Sequence, residues 1–268
     1  MHTALAVAVA LVVLPAALVR AEPTVTLYAA GSLSEAAKAY AAASGVEVAT
    51  RFGPSGQMRE RIEAGEPATV FASADYGHPK RLSEAGKAGP VVIFARNRLC
   101  ALVRPGLAVR ADGPLDAMLD PGIKLGTSTP GNDPSGDYAR ALFAKAERVK
   151  PGARAALEAK ALKLAGGKDS MRPPEGRNAY AWHIGEGRAD LFLGYCSAGK
   201  VATAELPGLQ VVDLPRDLAV GADYGLAVLK GSAEQEAAAA RFAMFLLSPE
   251  GQAILGRWGF TPLTAPAG

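Results

Sequence analysis

The sequence predicts an α/β fold, and two observations support this prediction. Of the 268 residues, 49% are hydrophobic and 21% are charged, which is typical of a globular chain that buries one large core or two moderate ones. Short β-rich runs alternate along the chain with segments of helical periodicity. Because strands separated by helices form βαβ units, the sheets are expected to be mainly parallel.

The predicted elements follow one another in a regular order. Strands are expected at 24–30, 46–52, 68–75, 90–97, 98–105, 123–131, 189–196, 209–214 and 224–230. Helices are expected from Leu33, after Ser55, from about Gly136, over 153–164 and from about Arg177. Two C-terminal helices are expected to break between Ser248 and Pro249, because proline suits the first position of a helix.

Residues 1–21 form an apolar segment that ends in Val19-Arg20-Ala21, a pattern of small residues suited to signal peptidase. We therefore predict a secretory signal peptide that is cleaved after Ala21, and a mature protein that is periplasmic or secreted. An uncleaved membrane anchor is the alternative, since the run is about as long as the shortest spanning helix. Cleavage lowers the net charge from +3 to +2, because it removes Arg20 and no acidic residue.

Charge and cysteine content limit the possible partners. The basic residues are scattered and only 6% of residues are aromatic, so no nucleic-acid surface is predicted. We expect a monomer without a cofactor. We also expect no site for a free metal cation, because the sequence has no His or Cys motif with metal-ligand spacing. Cys100 and Cys196 are the only cysteines, and after export they either form a disulfide or remain two buried thiols.

Serine stands at three of the predicted strand-to-helix corners, with glycine close by. These serines are Ser32, Ser55 and Ser135, and a fourth corner opens near Arg177. A cap alone would explain any one of them, and Ser32 with Glu35 has the spacing of a capping box. Helix N-termini also carry unpaired N–H groups and a partial positive charge, so several corners at one sheet edge favour an anion-binding pocket.

Several segments resemble the periplasmic molybdate-binding proteins, the solute receptors of molybdate ABC importers. They are "VTLYAAGSLSEA", "RFGPSGQMRERIEAGEPATVFASAD", "DPSGDYARALF", "ADLFLGY" and "FLLSPEGQAILGRWGF". They cover nearly all of the mature chain in matching order. The early block is the most specific, whereas the C-terminal block is common to many solute-binding proteins.

The resemblance implies two α/β lobes joined by crossing strands, with an anion in the cleft between them. The first lobe would comprise 24–100 and 218–264, and the second lobe 101–217. The implied ligand contacts are Ser32, Ser55, Ser135, Arg177 and Tyr195, with Asp75 as a further neighbour. The implied function is capture of a small tetrahedral oxyanion, molybdate or tungstate, and its delivery to a membrane ABC permease.

Two residues depart from the family pattern. Arg177 stands where a small apolar residue is usual, and Gly31 stands where alanine is usual. A guanidinium can bind an oxyanion through two parallel hydrogen bonds, and it would also suit a small organic acid, which is the alternative ligand. Arg177 could instead pair with a nearby acid at the surface.

Enzyme functions find little support in the sequence. The stretch "GYCSAGKV" has the glycine and lysine spacing of a phosphate-binding loop, but Val201 stands where a magnesium-binding hydroxyl is required. The mature chain has only His78 and His183 as bases for a secreted serine hydrolase, and no Gly-x-Ser-x-Gly motif. We therefore predict that the protein is not an enzyme.

Overall fold

The computed structural model describes residues 24–110 and 113–263. The signal peptide predicted over 1–21 lies outside these residues. No helix in the described ranges is long and apolar enough to cross a membrane.

The described residues form nine strands and ten α-helices. The strands are β1 (Val25–Ala30), β2 (Val48–Gly53), β3 (Val70–Ser73), β4 (Val92–Val103), β5 (Leu125–Ser128), β6 (Leu162–Ala165), β7 (Leu191–Tyr195), β8 (Gln210–Asp213) and β9 (Gly221–Val228). The helices are α1 (Ser34–Ala43), α2 (Ser55–Glu63), α3 (Gly77–Glu84), α4 (Pro114–Leu119), α5 (Pro134–Val149), α6 (Ala153–Lys160), α7 (Ala179–Gly185), α8 (Gly199–Glu205), α9 (Ala233–Leu247) and α10 (Pro249–Arg257). Short 3-10 turns at Gly31–Leu33 and Cys196–Ala198 precede α1 and α8.

Two lobes share one curled sheet, whose strand order is β2-β1-β3-β9-β4-β7-β5-β6, with β8 paired to β4. The first lobe contains β1, β2, β3 and β9, and the second contains β5 to β8. β4 belongs to both lobes: up to Arg98 it pairs with β9, and from Leu99 onward it pairs with β7, with β8 joining at Cys100. The boundaries expected after residue 100 and before residue 218 stay a prediction.

The α/β class is as the sequence predicts, but the prediction of mainly parallel sheets is wrong. β1 pairs in parallel with β2 and β3, and β5 pairs in parallel with β6 and β7. The pairs β3–β9, β4–β7, β4–β8 and β4–β9 are all antiparallel. The reason is that β4 carries the chain from the first lobe into the second and β9 follows its return to the first lobe, so neither is the product of a simple βαβ crossover.

Several predicted elements differ in extent. The two strands expected at 90–97 and 98–105 are one 12-residue strand, β4. The helix expected over 153–164 ends at Lys160, and β6 follows at once, because the segment joins the sheet edge beside β5. The short helices α3, α4 and α8 were not predicted, since none is long enough to show a clear apolar period.

Cys100 of β4 and Cys196, which follows β7, form a disulfide with a Cα–Cα distance of 5.0 Å and a sequence separation of 96. Because β4 crosses between the lobes, the bond fixes the end of β7 to the strand that both lobes share.

Candidate functional site

A cleft of about 820 Å³ lies between the lobes. The first lobe lines it with Ser32 and Ser55, and the second lobe lines it with Ser128, Asp133 and Tyr195 among other residues. These residues follow or end strands β1, β2, β5 and β7, or begin the helices after them. The cleft therefore lies at the carboxyl ends of these strands, where ligands bind in α/β folds.

Ser32 is not a helix cap, so the predicted capping box with Glu35 is wrong. The 3-10 turn at Gly31–Leu33 delays α1 until Ser34, and Glu35 pairs with Lys38 at 2.6 Å. The Ser32 hydroxyl lies 3.0 Å from the hydroxyl of Tyr224 instead.

A hydrogen-bond chain fixes the Ser32 hydroxyl. Asn97 Nδ2 donates to the hydroxyl of Tyr224 at 3.2 Å. With that acceptor position filled, the Tyr224 proton can be donated to Ser32 Oγ. The proton of Ser32 then remains for a ligand in the cleft.

Ser55 is fully buried at the first position of α2. Its hydroxyl oxygen accepts the N–H of Ala74 at 3.0 Å. Because a hydroxyl can accept and donate at the same time, the Ser55 proton also remains available to a ligand.

Three buried hydroxyl groups of the second lobe have no hydrogen-bond partner within the described residues. They belong to Ser128, at the end of β5, to Ser135, in the first turn of α5, and to Tyr195, at the end of β7. Tyr195 is 2% exposed, and burial raises the pKa of its phenol well above the usual range, so the hydroxyl keeps its proton. An unpaired buried hydroxyl is costly, and a ligand oxygen would satisfy it.

Ser135 is fully buried behind the cleft wall, at the start of α5, and it is not among the lining residues. The helix cap is Asp133, whose Oδ1 accepts the N–H of Ser135 at 3.0 Å. The serine at this corner is therefore not the cap.

Arg177 lines the cleft and forms an ion pair there. Its Nε donates to Oε1 of Glu205 at 2.6 Å, as the surface-pairing interpretation predicts. Helix α7 begins at Ala179, two residues later than expected, because Asn178 caps it by accepting the N–H groups of Tyr180 and Ala181. Glu205 also accepts the N–H of Asn178 at 2.6 Å. The N–H groups at this corner therefore already have hydrogen-bond acceptors within the protein.

Asp75 lies outside the cleft lining. Its carboxylate accepts hydrogen bonds from the hydroxyl of Ser73 and the N–H of His78, and these bonds stabilise the turn before α3. Ser128, Asp133 and Arg172 are among the lining residues that the sequence did not indicate. Ser128 could have been found from its place at the end of a β-strand, whereas Asp133 lies in a loop whose path the sequence does not define.

The two lobes touch across the cleft mouth, so the structure is in a closed arrangement. The N–H of Gly56 donates to the carbonyl of Asn132 at 3.0 Å, and Gln57 donates to the carbonyl of Gly166 at 3.0 Å. The hydroxyl of Tyr138 donates to the carbonyl of Ala74 at 3.3 Å. These contacts join the start of α2 and the end of β3 to the loops and helix of the second lobe.

Neither histidine forms a hydrogen bond with a serine in the described part of the chain. His183 is buried between Trp182 and Phe192, with ring-centroid distances of 4.8 and 6.1 Å. His78 is also buried, and its Nε2 lies 4.0 Å from the carboxylate of Asp75. The stretch 194–201, which has the glycine and lysine spacing of a phosphate-binding loop, runs from the end of β7 through the 3-10 turn into α8. None of these arrangements supplies the paired serine and histidine that a serine hydrolase would use.

Comparison with known proteins agrees with this architecture. Residues 25–261 match the family of bacterial extracellular solute-binding proteins. The uncharacterized protein PM1146 of Pasteurella multocida is 37% identical over 189 residues, which cover 70% of this chain and 78% of that protein. The molybdate-binding protein ModA of Escherichia coli is 28% identical over 253 residues, covering 90% of both proteins.

Two solved structures share the fold. The periplasmic molybdate-binding protein of Azotobacter vinelandii superposes with a TM-score of 0.71 at 22% identity, covering 90% of this chain and 100% of that one. The sulfate-binding protein SubI of Mycobacterium tuberculosis superposes with a TM-score of 0.70 at 22% identity, covering 90% and 87%. The family match spans nearly all of the described residues, and the chain therefore belongs to the bacterial extracellular solute-binding proteins.

Proposed function

We propose that this protein is an exported receptor that closes on a small tetrahedral oxyanion, most favourably molybdate or tungstate, and presents it to a membrane ABC permease. The observation that carries the proposal is the pair of buried, unpartnered hydroxyl groups on Ser128 and Tyr195 at one wall of an interlobe cleft, with the unpartnered hydroxyl of Ser135 buried behind that wall. Ser32 and Ser55 each offer a proton from the opposite lobe. Together they would supply donors from both lobes.

Neutral donors suit a dianion that is taken out of water. Hydrogen bonds to a charged group are about twice as strong as those between neutral groups, and a fixed ring of donors discriminates between anions by size. Two proteins with the same architecture are molybdate-binding by name, which supports molybdate, whereas a third is named for sulfate. Size selection between these anions is therefore the property to measure.

A titration of the mature protein tests the proposal. Calorimetry and thermal melting would be run with molybdate, tungstate, sulfate, phosphate and small carboxylates. We expect molybdate and tungstate to bind tightly, to raise the melting temperature and to remain chemically unchanged. A protein that binds none of these oxyanions, or that turns a ligand over, would refute the proposal.

The variant Tyr195→Phe separates binding from folding. It removes one hydroxyl that has no protein partner, so the ligand-free protein should keep its stability, while molybdate affinity should fall about tenfold to hundredfold. Tyr40→Phe is the matched control, because the Tyr40 hydroxyl donates to the carbonyl of Gly251 at 3.1 Å inside the first lobe. It should lower stability and leave affinity unchanged.

A small organic acid is the second candidate ligand, and one observation favours it. The cleft of about 820 Å³ is far larger than a single oxyanion, and the exposed Arg172 lines it with no ion-pair partner among the described residues. Arg172, rather than the paired Arg177, would then hold the carboxylate. Tight binding of a carboxylate with no binding of molybdate would establish this alternative.

A further inference from the structure

One acidic residue lies within this otherwise neutral set of donors. Asp133 lines the cleft together with Ser128 and Tyr195. Its Oδ1 accepts the N–H of Ser135 at 3.0 Å, as a helix cap. Its side chain packs against Gly166, where a Cβ would lie 2.4 Å from Asp133 Cβ and 2.7 Å from its Oδ2. Only a glycine at 166, which also has a φ of +75°, leaves room for this carboxyl group.

No cationic side chain is paired with Asp133 in the described ranges. Burial is the main reason that its pKa is raised to about 6; the N–H of Ser135 and the hydroxyl of Ser128 oppose the shift, and the nearby charge of Asp137 adds to it. Burial raises the pKa values of the cleft residues Tyr180 and Tyr195, and the nearby charge of Asp133 adds to this effect.

The other charged residues that line this cleft are Glu35, Arg61, Glu66, Arg172 and Arg177. Arg61 is paired with Glu66, Glu35 with Lys38, and Arg177 with Glu205. The hydroxyl of Ser128 lies close enough to the carboxylate of Asp133 to lower its pKa, although the two groups do not form a hydrogen bond of good geometry.

A dianion cannot lie beside an ionised carboxylate in a desolvated cleft without a large cost, because two like charges in a medium of low polarity repel strongly. A carboxylic acid, by contrast, is a hydrogen-bond donor. Asp133 can therefore join the donor set only by holding a proton. The N–H of Ser135 occupies one oxygen, and the other oxygen is free to carry that proton.

We propose that Asp133 is a specificity-determining residue of the anion site, which binds a proton together with a fully deprotonated oxyanion and donates a hydrogen bond to one of its oxygens. This inference rests on the proposed function, and it adds a proton to the ligand that the receptor carries. The proton comes from the solvent on binding and returns to it on release, so charge and atoms balance. An anion that brings its own proton, such as hydrogen phosphate, would instead donate to ionised Asp133.

The sign of the pH dependence follows from this coupling. Binding of the dianion favours the protonated form, so the pKa of Asp133 rises further in the complex. Above about pH 6, molybdate affinity should fall about tenfold for each unit of pH, because one proton is taken up for each anion bound. Below that pH, Asp133 is already protonated, and the affinity should level off.

Calorimetric titration of the mature protein with sodium molybdate tests the inference. Titrations in two buffers with different enthalpies of ionisation, at about pH 6.5 and about pH 8, count the protons taken up. We expect about one proton per molybdate at the higher pH for the unchanged protein. Asp133→Asn should take up none and should bind with an affinity that hardly varies with pH. Asparagine is also a good cap, so α5 should be preserved.

Asp137→Asn is the matched control, since Asp137 lies on the same helix but does not line the cleft. It should keep the proton uptake and the tenfold fall in affinity for each unit of pH, while the pH at which that fall begins should move slightly downward, because Asp137 raises the pKa of Asp133. The proton count of the unchanged protein decides the question even if Asp133→Asn folds poorly.

Molybdate binding with no proton uptake would overturn this inference and leave the proposed function standing. A lack of binding by every oxyanion would overturn both.

Discussion

At the scale of single residues, charge at the cleft mouth is distributed differently from what the sequence suggests. Arg177 is the cation that departs from the family pattern, yet its guanidinium is bound to Glu205. Arg172 lies on the same wall, is exposed, and has no ion-pair partner within the described ranges. An unpaired cation attracts an anion from solution, whereas a paired one contributes little net field.

Replacement of each arginine by glutamine should therefore have unequal effects. Arg177→Gln should change molybdate affinity by less than about twofold, because it removes an exposed ion pair worth about 0–1 kcal/mol. Arg172→Gln should lower the association rate and make it less dependent on salt. Stopped-flow binding at low and high ionic strength measures both effects. A large loss in Arg177→Gln with none in Arg172→Gln would restore the hypothesis that Arg177 holds the anion.

The serines show what can be predicted from single residues. Their positions at strand-to-helix corners could be read from the sequence, because glycine, serine and apolar periodicity are local signals. The partners of their hydroxyls could not, because those partners are distant in sequence: Tyr224 is 192 residues from Ser32, and Ala74 is 19 residues from Ser55. Whether a serine caps a helix or faces a ligand depends on such tertiary contacts.

At the scale of elements, the first turn of α2 is where the lobes meet. Gly56 donates its N–H to the carbonyl of Asn132, in the loop between β5 and α5. A Cβ at position 56 would lie 2.8 Å from that oxygen and 2.9 Å from the carbonyl oxygen of Gly131. Both atoms belong to backbone, so neither can move aside as a side chain would.

Gly56→Ala should therefore hold the lobes apart. We expect molybdate affinity to fall about fivefold to 150-fold, since overpacking typically costs about 1–3 kcal/mol, while the ligand-free protein keeps its stability because its lobes can move apart. Gly89→Ala is the matched control, because a Cβ there would meet nothing closer than the carbonyl oxygen of Val228 at 3.7 Å. Small-angle scattering with and without molybdate measures closure. Full ligand-induced compaction of Gly56→Ala would contradict this account.

Elements were predicted best where the local pattern was strong. The C-terminal helices break between Ser248 and Pro249 as expected, since the serine caps α10 and the proline begins it. The antiparallel pairing of β4 and β9 was missed, because strand direction depends on which lobe the chain enters next and not on the strand's own residues. The alternation of strands and helices thus predicts the class of fold but not the order of its strands.

At the scale of the whole molecule, β4 is the strand that joins the lobes, and the disulfide anchors the end of β7 to it. Cys196 directly follows Tyr195, whose phenol lies against the ring of Tyr224 of the first lobe, with a centroid distance of 5.7 Å. The bond therefore lies beside the aromatic contact between the lobes. It closes a loop of 96 residues that contains most of the second lobe.

Loss of this bond should destabilise the protein. Closing a long loop lowers the entropy of the unfolded chain, so reduction should lower the free energy of unfolding by about 2–4 kcal/mol. Denaturant titrations with and without a reductant measure the difference, and a thiol assay on the denatured protein should find no free thiol before reduction. The double variant Cys100→Ser with Cys196→Ser should have the same free energy of unfolding as the reduced protein, and this value should not change when the reductant is added. Two free thiols in protein purified from an oxidising compartment would show that the bond does not form there.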